Sequence, residues 1–244
     1  MGSPRVVIVG AGIGGLTLAL ELHEARLPCV ILEAVPELQE LGVGINLLPH
    51  ATRSLARLGL LNTLCELAVT TRESVFYTRH GQLVYREPAG EAAGYAWPQF
   101  SIHRGDLQQA LTAAVRDRLG DGSIRLDHRA VDFAQDDRRA AVTVEHSDGS
   151  RSTVTGDVVV GADGVHSALR RYLHPTDNGA SYTGCMIWRG ATVHPPFLGG
   201  GSMVRTGDRP FDRIEDVIGA DEITAMMAAY RGIAGFSVED LAKH

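Results

Sequence analysis

Lysine is almost missing from this chain: of its 23 basic residues only Lys243 is a lysine, and the rest are arginines. That excludes a Walker phosphate loop, which needs its lysine on the phosphates, and an internal Schiff-base lysine. Cysteine is scarce too. Cys29, Cys65 and Cys185 are odd in number and far apart, with no C-x-x-C spacing, so neither zinc nor a redox pair is expected and the thiols read as free in a reducing cytoplasm. The ten histidines form no pair at metal-ligand spacing, and no metal is expected. There is no G-x-S-x-G elbow. No apolar run approaches the roughly 20 residues that span a bilayer, and no basic segment with an apolar signal core opens the chain. The expectation is a cytoplasmic protein with no membrane partner. The net charge of −6 gives no electrostatic footprint for nucleic acid.

What is present starts with glycine. In VVIVGAGIGGLTLALEL, Gly10, Gly12, Gly14 and Gly15 follow an apolar run directly and are followed directly by a helical pattern. Arg5 to Gly10 reads as a buried strand, and Leu16, Ala19, Leu20 and His23 recur at the helical period. Such a strand, turn and helix can wrap a pyrophosphate. Gly10 allows the sharp turn, Gly12 lets the backbone approach the phosphates, and Gly15 lets helix and sheet pack closely. The phosphates then meet the free amides of a helix N-terminus. Pro28 ends the connection and Cys29 to Leu32 forms a second apolar strand closed by Glu33. Glu33 stands close to the spacing of about 20 residues expected of the acid that binds a ribose hydroxyl, and its carboxylate disfavours a 2′-phosphate. These residues alone suit an FAD protein, an NAD-dependent dehydrogenase, or a non-catalytic nucleotide-binding protein.

Further along, LQELGVGINLLPHATRSLARLGL reads as a glycine-punctuated loop running into a short helix that stops at Gly59. Residues 73 to 87 read as a hairpin turned at His80-Gly81-Gln82, and a helix from Asp106 stops at Gly120. Residues 130 to 135 and 140 to 146 read as strands. Asp157 to Gly161 is a continuous apolar run, as expected of a parallel strand covered on both faces. It leads into Asp163-Gly164 and a helix from about Ser167. Asp-Gly alone is an ordinary turn, but the end of a parallel strand is where open α/β sheets bind ligands. Pro195-Pro196 and Gly199 to Ser202 form a flexible junction. Helical patterns follow over 221–231, with capping-box spacing over 237–240. The fold class expected is α/β, a Rossmann-like domain with a parallel sheet beside a partial β-rich domain.

Four segments in this order, Gly10 to Gly15 with Glu33, LGVGINLLPHATR, SIHRGDLQQAL and GDVVVGADGVHSALRRYL, resemble the single-component (class A) flavin-dependent aromatic hydroxylases. This is the family of para-hydroxybenzoate and salicylate hydroxylases. The stretches GVGIN, AWPQFSIHRG and MIWRG resemble its phenazine-modifying type. The resemblance covers residues 5 to about 204. It implies an FAD-dependent monooxygenase that uses NAD(P)H and dioxygen to hydroxylate a small aromatic substrate. Gly10, Gly12, Gly14, Gly15 and Glu33 would hold the ADP half of FAD, and Arg104 would reach the ribityl and phosphate region. Asp163 and Gly164 match the second fingerprint. Val131 would lie near the adenine, with Val43 and Gly44 beside the flavin. Substrate contacts would come from residues 73 to 87 and 186 to 189, with Met186 and Trp188 as packing residues. No residue is assigned as catalytic, because the cofactor carries the chemistry.

The resemblance implies a division into an FAD-binding domain (1–72 and 101–172), partial substrate-domain strands (73–100 and 173–204) and a helical tail (205–244). Relatives carry a second Gly-Asp motif after the WRG segment. Here Gly207-Asp208 is followed by Arg209-Pro210, and the tail resembles the C-terminal end of some relatives. The expectation is a family member whose first half joins its last stretch without the middle section. Its turnover is then impaired, and the uncovered apolar faces favour aggregation or a homodimer.

Overall fold

The computed structural model describes residues 6–38, 42–78, 80–176, 179, 181, 189–192, 194–196 and 198–206. The expectations for Cys185, Met186, Trp188, Gly207-Asp208 and the tail helices lie outside these. In chain order the elements are β1 (Val6–Val9), α1 (Ile13–Glu24), β2 (Cys29–Leu32), β3 (Gly44–Leu47), α2 (Pro49–Arg57), α3 (Leu61–Leu67) and β4 (Val69–Thr71). Then come β5 (Glu73–Tyr77), β6 (Leu83–Pro88), β7 (Gln99–His103), α4 (Arg104–Leu119), β8 (Ile124–Arg125) and β9 (Arg129–Gln135). β10 (Ala140–Glu145), β11 (Arg151–Gly156), β12 (Val158–Gly161), α5 (Ala168–Leu173) and β13 (Ser202–Thr206) follow.

The chain divides into two units. The first holds Met1–Gly42, Ser54–Leu67 and Arg104–Met186. Its centre is a four-stranded sheet in the order β12-β1-β2-β8, with every pairing parallel. Both faces of β1 are covered, which is why it reads as an unbroken β-branched run. On one face lie Ile8, Leu16, Ala19 and Leu20, all fully buried, with α1 packed against α4 and β2. On the other, Val7, Val9, Val30 and Leu32 pack against Phe133, Val142, Val144 and Val154 of the antiparallel meander β9-β10-β11. Each such side chain contributes about 1.5–3 kcal/mol relative to exposure. The strands expected at 130–135 and 140–146 are β9 and β10, and the expected helix start at Ser167 is the N-cap of α5, whose hydroxyl accepts from the Arg170 amide at 2.9 Å.

One expectation is corrected. The run ending at Gly161 is not covered on both faces: Val158 is 47 % exposed. Among the described residues β12 pairs only with β1, so it stands at the edge of the sheet.

The second unit holds Val43–Arg53, Ala68–His103 and Ile187–His244. β5 and β6 form the expected antiparallel hairpin, closed by Gly81 at φ 77° and a bond from the Thr78 amide to the Gln82 carbonyl at 2.9 Å. β13 adds in parallel to β5, and β3, β7 and β4 form a separate antiparallel sheet.

Candidate functional site

At the carboxyl ends of β12, β1 and β2 the chain leaves the parallel sheet three times, at Ala162, Gly10 and Glu33. These departures are tied together. The Gly10 amide donates to the Leu32 carbonyl at 2.7 Å, and the Ala162 amide donates to the Val9 carbonyl at 2.7 Å. Gly10 takes φ 108°, a conformation that L side chains rarely adopt, and a Cβ there would stand 2.5 Å from the Ala162 carbonyl oxygen. Only glycine fits this turn. Gly15 has a different reason: its Cβ would stand 2.0 Å from the Gly10 carbonyl oxygen. It is buried under the turn and lets α1 sit against it.

Gly12 and Gly14 are another kind of glycine. Nothing lies within 4 Å of a Cβ placed on either, and Gly12 has an ordinary φ of −72°. The protein's own packing therefore does not demand glycine at these positions, whereas a ligand lying against the backbone would. Gly12 is the N-cap of α1 and offers no side-chain cap, so the first amides of that helix are left for an outside acceptor.

An open crevice of about 800 Å³ begins at this turn. It brings together Gly10, Gly12, Glu33, Arg104, Val131, Asp163 and Gly164 from the sequence-derived set. Gly15 lies beneath the turn, Gly14 is exposed on the first turn of α1, and neither lines the crevice. Val43 and Gly44 belong to the second unit, at the start of β3.

Glu33 grips the turn. Its Oε2 accepts from the Ala11 amide at 2.7 Å and its Oε1 from the Val35 amide at 3.2 Å. Asp163 has one oxygen satisfied and one not: Oδ2 accepts from the Ala168 amide at the start of α5, 2.7 Å away, while Oδ1 is buried without a partner among the described residues. A buried acceptor left unpaired is costly, and a donor group on a bound ligand would satisfy it. Arg104, Arg129 and Arg171 line the same crevice and are exposed, which supplies positive charge for phosphates. The set therefore fits the ADP portion of a dinucleotide: amides and arginines for the pyrophosphate, a carboxylate for the ribose. Among the described residues no group of three His, Cys, Asp or Glu could hold a metal ion, and no helix is long and apolar enough to cross a membrane.

Sequence reading missed several contributors. Gln108 lies one helical turn beyond Arg104, on the same face of α4, and its Nε2 donates to the Ala11 carbonyl at 2.9 Å. That spacing was a usable signal. His128, Arg129 and Arg171 also line the crevice, but nothing local in their segments points to it.

The family described as "FAD binding domain" matches residues 4–197. Among curated proteins, the chain is 42% identical over 206 residues to phenazine 1,6-dicarboxylic acid hydroxylase PhzS of Lysobacter antibioticus, covering 83% of this chain and 51% of that one. It is 34% identical to 3-amino-4-hydroxybenzoate 2-monooxygenase of Streptomyces cremeus over 79% of this chain and 48% of that one. To 6-hydroxynicotinate 3-monooxygenase of Bordetella bronchiseptica it is 31% identical, over 86% and 51%. The chain thus spans about half the length of these relatives. Among solved structures, p-nitrophenol 4-monooxygenase PnpA from Pseudomonas putida shares the fold with TM-score 0.63 at 23% identity, over 70% of this chain and 43% of that one. Klebsiella pneumoniae HpxO complexed with FAD and uric acid superposes with TM-score 0.56 at 27% identity, over 69% and 41%.

Proposed function

We propose, for a chain that belongs to the FAD binding domain family and, by its curated relatives, to the flavin-dependent aromatic hydroxylases, that its first unit holds the ADP half of FAD in the crevice at Gly10. In this reading the chain serves an FAD-dependent monooxygenase that hydroxylates an aromatic carboxylic acid with NAD(P)H and dioxygen. The observation that carries it is the convergence of the strained turn at Gly10, the Glu33 carboxylate and the unpartnered Asp163 Oδ1 on one crevice.

When bound, FAD supplies the redox chemistry, taking electrons from a nicotinamide and delivering oxygen from dioxygen to a ring. The chain's own residues bind and orient. The first amides of α1, with Arg104, Arg129 and Arg171, take the diphosphate. Glu33 takes a ribose hydroxyl while it keeps the turn in place, and Asp163 Oδ1 accepts from a hydroxyl of the linker. Val131, 38 % exposed, offers an apolar contact for the adenine. The substrate class is supported by the printed names of the three curated relatives, each of which acts on an aromatic carboxylic acid. We assign the second unit to substrate contacts, through the hairpin β5-β6.

The test is the visible spectrum of the purified chain with and without added FAD, followed by NADH and NADPH oxidation across a panel of aromatic acids. Bound flavin with acid-stimulated oxidation is the expected result. Flavin bound without any stimulation confines the chain to cofactor binding. Tight NADH binding with no flavin bound would contradict the proposal.

A further inference from the structure

We propose that Gln108 is a positioning residue for the nucleotide turn, fixing the direction of the Gly12 amide by holding the peptide group between Ala11 and Gly12. This rests on the reading of the crevice as an ADP site. The two consecutive peptide planes of the turn are each pinned by one side chain from elsewhere in the same unit. The plane between Gly10 and Ala11 is held at its N–H by Glu33 Oε2, at 2.7 Å. The plane between Ala11 and Gly12 is held at its carbonyl by Gln108 Nε2, at 2.9 Å. Among the described residues no peptide bond is cis, and in a trans peptide the carbonyl and the N–H point to opposite sides. Fixing the Ala11 carbonyl toward α4 therefore fixes the Gly12 N–H away from it.

That control matters because the helix's own bond at Gly12 does not reach this plane: the Gly12 carbonyl accepts from the Leu16 amide at 3.0 Å, in the following peptide plane. The Cβ position of Gly12 is open, so no packing holds it. The turn it closes contains Gly10, whose backbone is the most permissive type. Without Gln108 the plane can rotate, and the amide would have to be ordered when the phosphate binds. The acceptor is a carbonyl oxygen, so only the amide nitrogen of Gln108 can face it. A carboxylate of the same shape cannot make this bond, and a protonated carboxyl can.

The experiment compares the 244-residue chain as wild type, Q108L and Q108E. FAD and ADP dissociation constants are measured by flavin fluorescence and calorimetry at pH 8 and pH 5, with melting temperatures alongside. Wild type at each pH is the reference, since Glu33, Glu37, Asp163, His128 and His166 also line the crevice. The expected result is about a three- to tenfold weaker affinity for both ligands in Q108L at both pH values, the range of one lost hydrogen bond. Q108E should be weaker than wild type at pH 8 and recover part of the difference at pH 5, because facing the Ala11 carbonyl raises its carboxyl above the ordinary value of about 4.3 and lets a fraction of it donate. General destabilisation would lower the melting temperature of Q108L in step with its affinity, whereas a positioning role lowers affinity with little change in melting temperature, and simple charge repulsion in Q108E would leave Q108L unaffected. Dissociation constants within twofold of wild type for Q108L, with ADP and FAD still bound, overturn the assignment to Gln108 alone. Wild type that binds neither ligand overturns the reading of the crevice and this assignment with it.

Discussion

Gly15 lies so close beneath Gly10 that a methyl group on it would stand 2.0 Å from the Gly10 carbonyl oxygen, whereas a methyl group on Gly12 would meet nothing within 4 Å. The glycines of one short turn thus divide into those the fold requires and those it does not, and in the proposed ADP site the latter lie against the ligand. Gly15→Ala should lower stability by about 3 kcal/mol or more through overpacking, seen as a drop of roughly 6–12 °C in melting temperature. Gly12→Ala should melt close to wild type yet bind FAD roughly tenfold more weakly or worse. Thermal melts and flavin titration of both variants check the division. Equal destabilisation by the two would contradict it.

Asp163 should show the same separation within one side chain. Its Oδ2 accepts from the Ala168 amide, and its Oδ1 is buried without a partner among the described residues. Asp163→Asn keeps an acceptor for Ala168 and should leave α5 in place while weakening FAD binding. Asp163→Ala should also cost about 1 kcal/mol of stability, the net value of one such bond. Circular dichroism melts combined with flavin titration distinguish the two effects.

Thiol chemistry reports on the edge of the first unit. Burial pushes the Cys29 thiol above its ordinary pKa, so little of it is thiolate at neutral pH, while Cys65 is exposed. Alkylation with iodoacetamide at pH 7.5, followed by peptide mass mapping, should label Cys65 well before Cys29. Faster labelling of Cys29 would mean that the start of β2, ahead of its pairing with β8, opens in solution.

The turn between β9 and β10 predicts a pH response. Asp136 Oδ1 accepts from the amides of Arg138 and Arg139 at 2.7 and 2.8 Å, and these bonds hold its carboxyl below the usual range. A carboxylate lowered in the folded state contributes stability above the unfolded value of about 3.9, and that contribution is lost as pH falls through the folded value. Carboxyl carbon NMR should show Asp136 titrating below the unfolded reference, and the Asp136→Asn variant should lack this part of the acid response.

Sequence pattern disclosed what local chemistry determines. β1, α1 and β2 follow from one apolar run, four glycines and a helical period. The hairpin β5-β6 follows from alternation around Gly81, and α4 ends where Gly120 takes φ 87°. What stayed hidden depends on partners distant in the chain. The exposure of Val158 reflects which strand lies beside β12, and an apolar run reads the same at an edge as at the centre. α3, beginning just after Gly59, is too short for a clear period. In the site, Glu33 and Asp163 stood out because each closes a strand. His128 and Arg171 reach the crevice only through the packing of the meander and α5 around the sheet.

Occupation of the crevice at Gly10 is measured directly by calorimetric titration of the chain with ADP, FAD and 2′-phosphorylated ADP. ADP and FAD should compete for a single site, the 2′-phosphate should weaken binding because of the Glu33 carboxylate, and Glu33→Ala should lose about tenfold in affinity for ADP and FAD. Absence of ADP binding, or a Glu33→Ala variant with unchanged affinity, would contradict the proposed site.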